Sequence, residues 1–207
     1  MLKIFHSPRA RSLRIVWLCE EMGLPYEIVA VKIGEPSAEL LAVNPLKSLP
    51  TLQDGAVTMI ESVAMMIYIM GTYGPTDLEL MPGDPGYARY LQFLLFGEAG
   101  MAMYGNPLVA TKFFAPEDER INWTSDYLKA TLAKRLRFVD DHLGESRYLL
   151  GDRFTAADIS VGYTIGMAGF AADIELSATL KAYHERLKAR PAYQRAVDGS
   201  AALRPIE

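Results

Sequence analysis

Cysteine is all but absent. The 207 residues contain one, Cys19, so no disulfide can close within the chain, and a reducing compartment is expected. Excess basic charge is missing too: 21 Lys and Arg stand against 25 Asp and Glu, for a net charge of −4. Binding a phosphate backbone needs a concentrated basic surface, so nucleic acid is not expected as the main partner. The most apolar run, Ile159 to Ala172, is 14 residues long and broken by glycines. It is too short to span a bilayer and reads as a buried core helix. His6, His142 and His184 are scattered without metal-ligand spacing, so no metal is expected. There is no Gly-rich phosphate loop, no internal repeat and no low-complexity tract. The N-terminus, MLKIFHSPRA, runs straight into a strand pattern, without the basic start and apolar run of a leader. The expectation is a cytoplasmic protein with no membrane partner.

Half the residues are hydrophobic, enough to bury a core. Leu2 to Phe5 reads as a strand, broken at His6-Ser7-Pro8. Ala10 to Met22 is apolar on one side at helical spacing and ends at Gly23. Tyr26 to Val31 is a second strand, and a β-α-β unit makes these two strands parallel. Ser37 to Val43 is a short helix with Ser37 as N-cap. Thr51 to Gln53 and Val57 to Ile60 flank the turn Asp54-Gly55, so they pair antiparallel. A helix follows from Ser62 to about Met70. The order βαβαββα is that of a thioredoxin-like domain, here residues 1–76. Residues 77–86 are rich in Pro and Gly and read as a linker. Beyond Pro85 no strand pattern recurs. Helices are expected over Tyr87–Tyr104, Glu117–Leu143, Thr155–Phe170 and Ser177–Lys188, with a turn or two at Tyr193–Val197. Residues 87–207 therefore read as an all-helical domain.

The stretch from Asn44 to Ser62 carries most of the chemistry. Pro50 either avoids a ladder position at a strand start or forms a cis peptide after Leu49. In the second case the Leu49 backbone would meet an extended peptide ligand. Glu61 and Ser62 cap a helix. The same N–H groups and hydroxyl would accept a ligand carboxylate, while Glu61 would meet an ammonium. A γ-glutamyl group carries both charges on one carbon. Lys47, on the same loop, is within reach of a ligand carboxylate or is merely solvated. In Ser7 to Arg14 a helix start with Arg9 or Arg11 would lower the pKa of a nearby thiol. That loop has no cysteine, so a thiol must come with the ligand; Ser7 and Ser12 are the hydroxyls available to it. Thr155-Ala156-Ala157-Asp158 fits a structural helix cap. Phe96, Met101 and Tyr104 would line an apolar pocket if their helix face, thinned by Gly97 and Gly100, looks across a gap between the domains.

Three motifs, SPRARSLRIVWLCEEMGLPYE, NPLKSLPTLQDG with IESVAMMIYI, and GDRFTAADI, together resemble the soluble glutathione S-transferases, in the branch with an S-R-S-type motif. The resemblance runs along essentially the whole chain. It implies glutathione as co-substrate, held by Lys47, Leu49, Pro50, Glu61 and Ser62. It also implies a homodimer and a hydrophobic electrophile as second substrate, as in detoxification. The usual first Ser of the motif is Ala10 here, and Phe5 stands where other branches carry a Tyr. Ser12, Ser7 or Arg11 would then hold the thiolate. The rival expectation is a binding or carrier protein of the same fold without conjugation.

Overall fold

The computed structural model describes residues 1–171 and 173–201. Ala172, at the end of the apolar run, and residues 202–207 of the expected helical half lie outside the described residues. The chain forms two compact units. One comprises residues 1–76 and the segment from Lys188 on; the other is 77–187.

The first unit is built on a four-stranded sheet of order β2-β1-β3-β4, with β1 Leu2–His6, β2 Tyr26–Ala30, β3 Thr51–Asp54 and β4 Val57–Ile60. β1 and β2 are parallel, while β1–β3 and β3–β4 are antiparallel. This is the expected thioredoxin-like arrangement. Helices α1 Leu13–Met22, α2 Ala38–Val43 and α3 Ser62–Tyr73 complete it. Phe5, Val31 and Leu40 form one buried cluster with Leu49 packed against it. Ile15, Val16, Leu18 and Cys19 of α1 and Met65, Met66, Ile69 and Met70 of α3 are buried as well. Each such side chain contributes about 1.5–3 kcal/mol on burial. Ser37 caps α2 as expected, its side chain accepting from Leu40 N. α3 runs past Gly71 and stops at Gly74, where a Cβ would meet Met70 O at 2.5 Å.

The remaining helices are α4 Tyr87–Leu95, α5 Met103–Phe114, α6 Trp123–Leu143, α7 Ala156–Ala171, α8 Ala178–Lys188 and α9 Pro191–Ala201. Two expected boundaries move. The single helix read over Tyr87–Tyr104 is α4, a π-helical segment Phe96–Ala102, and α5, which continues to Phe114. Gly97 lies so close to α7 that a Cβ would meet Ser160 Oγ at 2.3 Å, and Thr164 Oγ1 donates to the Gly97 carbonyl. Such one-turn π insertions are how a helix absorbs an extra residue. The helix read from Glu117 starts at Trp123 instead. Asn122 and Ser125 form a reciprocal capping box there, and Glu117–Glu119 is a separate 3-10 turn.

The sequence counted α9 with the helical half, yet it groups with the first unit. Arg190 makes a two-pronged ion pair with Glu21 of α1 at 2.6 and 2.7 Å. Arg195 pairs with Glu20 at 2.6 Å, and Tyr193 packs edge-on against Trp17. Planar guanidinium–carboxylate forks of this kind are directional, so they fix how α9 lies on α1.

Asp158 at the start of α7 is fully buried, and burial pushes its pKa up. It accepts from Leu149 N at 2.9 Å, Thr155 N at 2.8 Å, Thr155 Oγ1 at 3.2 Å and Tyr183 OH at 2.8 Å. The cap expected at Thr155–Asp158 is thus also the anchor of the Leu149 turn and of α8. Asp158→Ala leaves several buried donors without an acceptor and should lower unfolding free energy by about 3 kcal/mol or more. Chemical denaturation measures this, and a loss below about 1 kcal/mol would contradict the assigned role.

His6 ends β1 and is fully buried, with no hydrogen-bond partner for either ring nitrogen among the described residues. Burial pushes its pKa down from 6.5 to about 4. The unfolded chain takes up this proton near 6.5, whereas the folded chain resists until about 4. Stability is therefore flat above the higher value and falls as pH drops between the two, by up to about 3 kcal/mol. His6→Met should abolish that part of the acid loss. Denaturation curves of both proteins at pH 7 and about 4.5 give the difference, and parallel losses would rule the effect out.

Candidate functional site

The site is assembled from three stretches of the first unit. The loop before β3 is organised by Asn44, which is buried. Its amide nitrogen donates to Ser48 O at 3.1 Å, Ser48 Oγ at 3.2 Å and Thr51 Oγ1 at 2.8 Å. Its oxygen accepts from Leu46 N at 2.9 Å, an Asx turn of the kind an Asn-Pro pair favours. Thr51 Oγ1 in turn donates to Ser48 O at 3.0 Å. Within this frame Lys47 takes a left-handed φ of 58°, and the Leu49–Pro50 peptide is cis. A second cis peptide, Gly74–Pro75, was not foreseen in the sequence.

The second stretch is the start of α3. Glu61 sits at its N-cap with φ 73° and ψ 105°, and α3 has no side-chain cap. A non-glycine residue at positive φ costs about 1–3 kcal/mol and persists where the surroundings impose it. The first backbone N–H groups of α3 thus begin at the site without a side-chain acceptor, which favours an anion there. Ser62 is buried and its Oγ accepts from Arg14 Nη1 at 3.0 Å.

The third stretch, Ser7 to Arg14, turns twice before α1 begins, with Ala10 N donating to Ser7 O and Leu13 N to Ala10 O. Ser12 is the N-cap residue of α1 but makes no side-chain cap. It is fully buried, and its Oγ accepts a long bond of 3.4 Å from Ser7 N. Ser7 is buried too.

A shallow cleft results, lined by Arg11, Ser48, Leu49, Pro50, Glu61 and Ser62. Of the three residues named from sequence as thiolate partners, Arg11 faces this cleft, while Ser12 and Ser7 are packed away from solvent. Four of the five ligand-holding residues named from sequence line it as well. Lys47 is exposed on the adjoining loop. Ser48, Asn44 and Arg14 carry parts of the site that the sequence reading assigned no role. The Asn-Pro dipeptide was a signal for Asn44; nothing local marked Arg14.

The three residues expected at an apolar pocket belong to the helical unit. Met101 is fully buried, so it packs rather than lines an opening. Phe96 lies edge-on to Phe93 at 6.1 Å, and Tyr104 faces the Arg135 guanidinium at 5.7 Å. A larger hollow of about 150 Å³ in the same unit is lined by Leu80, Pro85, Gly86, Arg89, Leu150 and Arg153. It contains no nucleophile or general base, and Arg153 there is bound to the carbonyls of Asp77 and Glu79. The smaller cleft is therefore the candidate site. Among the described residues no group of His, Cys, Asp and Glu could hold a metal ion, and no helix is long and apolar enough to cross a membrane.

Known proteins show the same organisation. The family model "Glutathione S-transferase, N-terminal domain" matches residues 1–71, and "Glutathione S-transferase, C-terminal domain" matches 105–194. Glutathione S-transferase 3 of Zea mays is 27% identical over 95% of this chain and 93% of its own. Glutathione S-transferase 3 of Schizosaccharomyces pombe is 29% identical over 80% of this chain and 73% of its own. Among solved structures, a glutathione transferase of Methylococcus capsulatus superposes with a TM-score of 0.85 at 27% identity, covering 98% of this chain and 100% of that one. A sphingomonad glutathione S-transferase complexed with glutathione gives 0.82 at 26% identity, covering 96% and 98%. Fold, site and both domain matches agree, and the chain belongs to the glutathione S-transferase family.

Proposed function

We propose that this protein is a glutathione transferase whose cleft grips the tripeptide at both ends and holds its thiolate with Arg11. The observation that carries the reading is the convergence of Arg11, Leu49, Glu61 and Ser62 on one cleft. Glu61 meets the γ-glutamyl ammonium. Ser62 and the first N–H groups of α3 meet the α-carboxylate on the same carbon. The Leu49 backbone pairs with the cysteinyl residue as one rung of β-addition. Lys47 meets the glycine carboxylate.

Arg11 replaces the missing hydroxyls of Ala10 and Phe5. A charge-assisted bond to a thiolate stabilises it by about 1.5–3 kcal/mol, which lowers a thiol pKa by about 1–2 units. From a free value near 8.5, that brings a useful fraction of thiolate to neutral pH. The chain's own thiol does not compete, because burial pushes Cys19 up to about 12. The second substrate is a hydrophobic electrophile, and the protein works as a homodimer in the cytoplasm.

Ala10, Phe5 and the burial of both serines favour one alternative, a glutathione-binding protein without conjugation. Calorimetry with millimolar glutathione and turnover of a panel of apolar electrophiles separate the two. On the main reading wild type binds and turns over. Arg11→Ala then lowers kcat/KM by about 10- to 100-fold and moves the activity midpoint to higher pH. Ser12→Ala leaves the midpoint where it was. Binding without turnover in any condition supports the carrier, and no binding rejects both.

A further inference from the structure

Arg14 is fully buried in α1, and its Nη1 reaches across to Ser62 Oγ at the first turn of α3, 3.0 Å away. A guanidinium has donors only. The Ser62 oxygen must therefore be the acceptor in this bond. A hydroxyl has a single proton, and with Arg14 donating to it, that proton is left to point at some other acceptor. Ser62 lines the cleft, where the neighbouring groups at the start of α3 are backbone N–H donors as well.

We propose that Arg14 is a positioning residue: it locks Ser62 as a donor toward the cleft and so makes the site select a carboxylate over a carboxamide. The consequence follows from counting donors. With Ser62 held as a donor, both ligand positions at this corner face hydrogen-bond donors. A carboxylate offers an acceptor to each. A carboxamide offers one acceptor and one NH2, and the NH2 is left facing a donor. Without Arg14 the hydroxyl is free to rotate and accept from that NH2, so the carboxamide is satisfied at both positions. The buried guanidinium also adds positive charge beneath an anion, in the same direction as the α3 dipole.

The inference rests on the reading of the cleft as a glutathione site. It is tested on the full chain by calorimetry with two ligands, glutathione and glutathione whose γ-glutamyl α-carboxylate is a primary amide. Wild type should prefer the carboxylate by about 10- to 100-fold. Arg14→Met should cut that preference about ten-fold, by losing affinity for glutathione while keeping or gaining it for the amide. Arg14→Gln keeps the stem and a polar head but can accept as well as donate, so it should relax the preference too. It serves if the methionine variant does not fold. In a Ser62→Ala background the Arg14 substitution should cost distinctly less of that preference than in wild type, since only the charge effect is left to lose.

A structural role alone would weaken both ligands alike. An unchanged carboxylate preference in whichever Arg14 variant folds, or an equal loss with and without the Ser62 hydroxyl, overturns the proposal. If wild type binds neither ligand, it is the glutathione reading of the cleft that fails.

Discussion

Three separate stretches meet at the cleft because of one row of the sheet. Phe5 of β1 pairs with Thr51 of β3, and Thr51 pairs with Ile60 of β4. The chain leaves β1 at that row toward Ser7–Arg14, arrives at it through Asn44–Pro50, and leaves β4 at it toward Glu61–Ser62. Antiparallel pairing makes the end of one strand the beginning of the next, so all three connections fall on one edge. A slip of one residue in either ladder would turn every side chain over and move Leu52 and Ile4 out of the core. Both are fully buried. The packing that fixes the register is therefore also what brings Arg11 within one cleft of Glu61.

Buried polar side chains do the fine placement, and they do so differently in the two units. Asn44 satisfies backbone and hydroxyl groups of a loop whose own geometry is irregular, with a cis peptide and a left-handed Lys47. Arg14 joins α1 to α3 through a side chain. In the helical unit Asp158 gathers four donors around the start of α7. Asn44 and Asp158 have partners for their buried polar groups, as the low-dielectric interior demands, while Arg14 bonds Ser62 through Nη1. Asn44 and Arg14 hold groups that face the cleft; Asp158 holds only the fold. If the cleft is the glutathione site proposed above, substitutions at Asn44 and Arg14 act on affinity as well as stability.

The parts of this architecture written in local chemistry were legible in the sequence. Pro50, the Asp54-Gly55 turn and the acid-hydroxyl pair at 61–62 each have a neighbour-scale signature. Their order pointed to the fold and to the cleft stretch. What depended on distant partners was not legible. Arg14 meets a residue 48 positions away, and on helical periodicity alone an arginine reads as solvated. Nothing local marked the partners of Glu20 and Glu21 on α1 either. They bind Arg195 and Arg190, and that pairing, 169 residues apart for Glu21, is why α9 leaves the helical half. The π segment escaped because Gly97 looked like spare room, whereas it is filled by Ser160. The serines of the first loop misled for a related reason. Their type suggested ligand contact, but burial is decided by the turn geometry of Ser7–Leu13, which composition does not encode.

On the proposed reading, the change from hydroxyl to guanidinium at the thiol end alters what the protein contributes to the reaction. Arginine stays protonated throughout the accessible pH range, so Arg11 cannot remove the thiol proton. His6, the one imidazole near the end of β1, is buried and does not line the cleft. Glu61, the carboxylate that lines the cleft, is occupied, on the proposed reading, with the ligand's ammonium. The proton therefore leaves to solvent, through the open side of a shallow cleft. In that case the chemistry is a shifted equilibrium rather than general-base catalysis: the cation holds a larger fraction of thiolate, and the electrophile reacts with whatever is present. Its effect is bounded by the fraction ionised. Once the thiol is mostly deprotonated, stronger stabilisation of the sulfur only makes it a poorer nucleophile. On that reading a single half-buried arginine, acting through charge and without a directed proton acceptor, sits on the useful side of that limit.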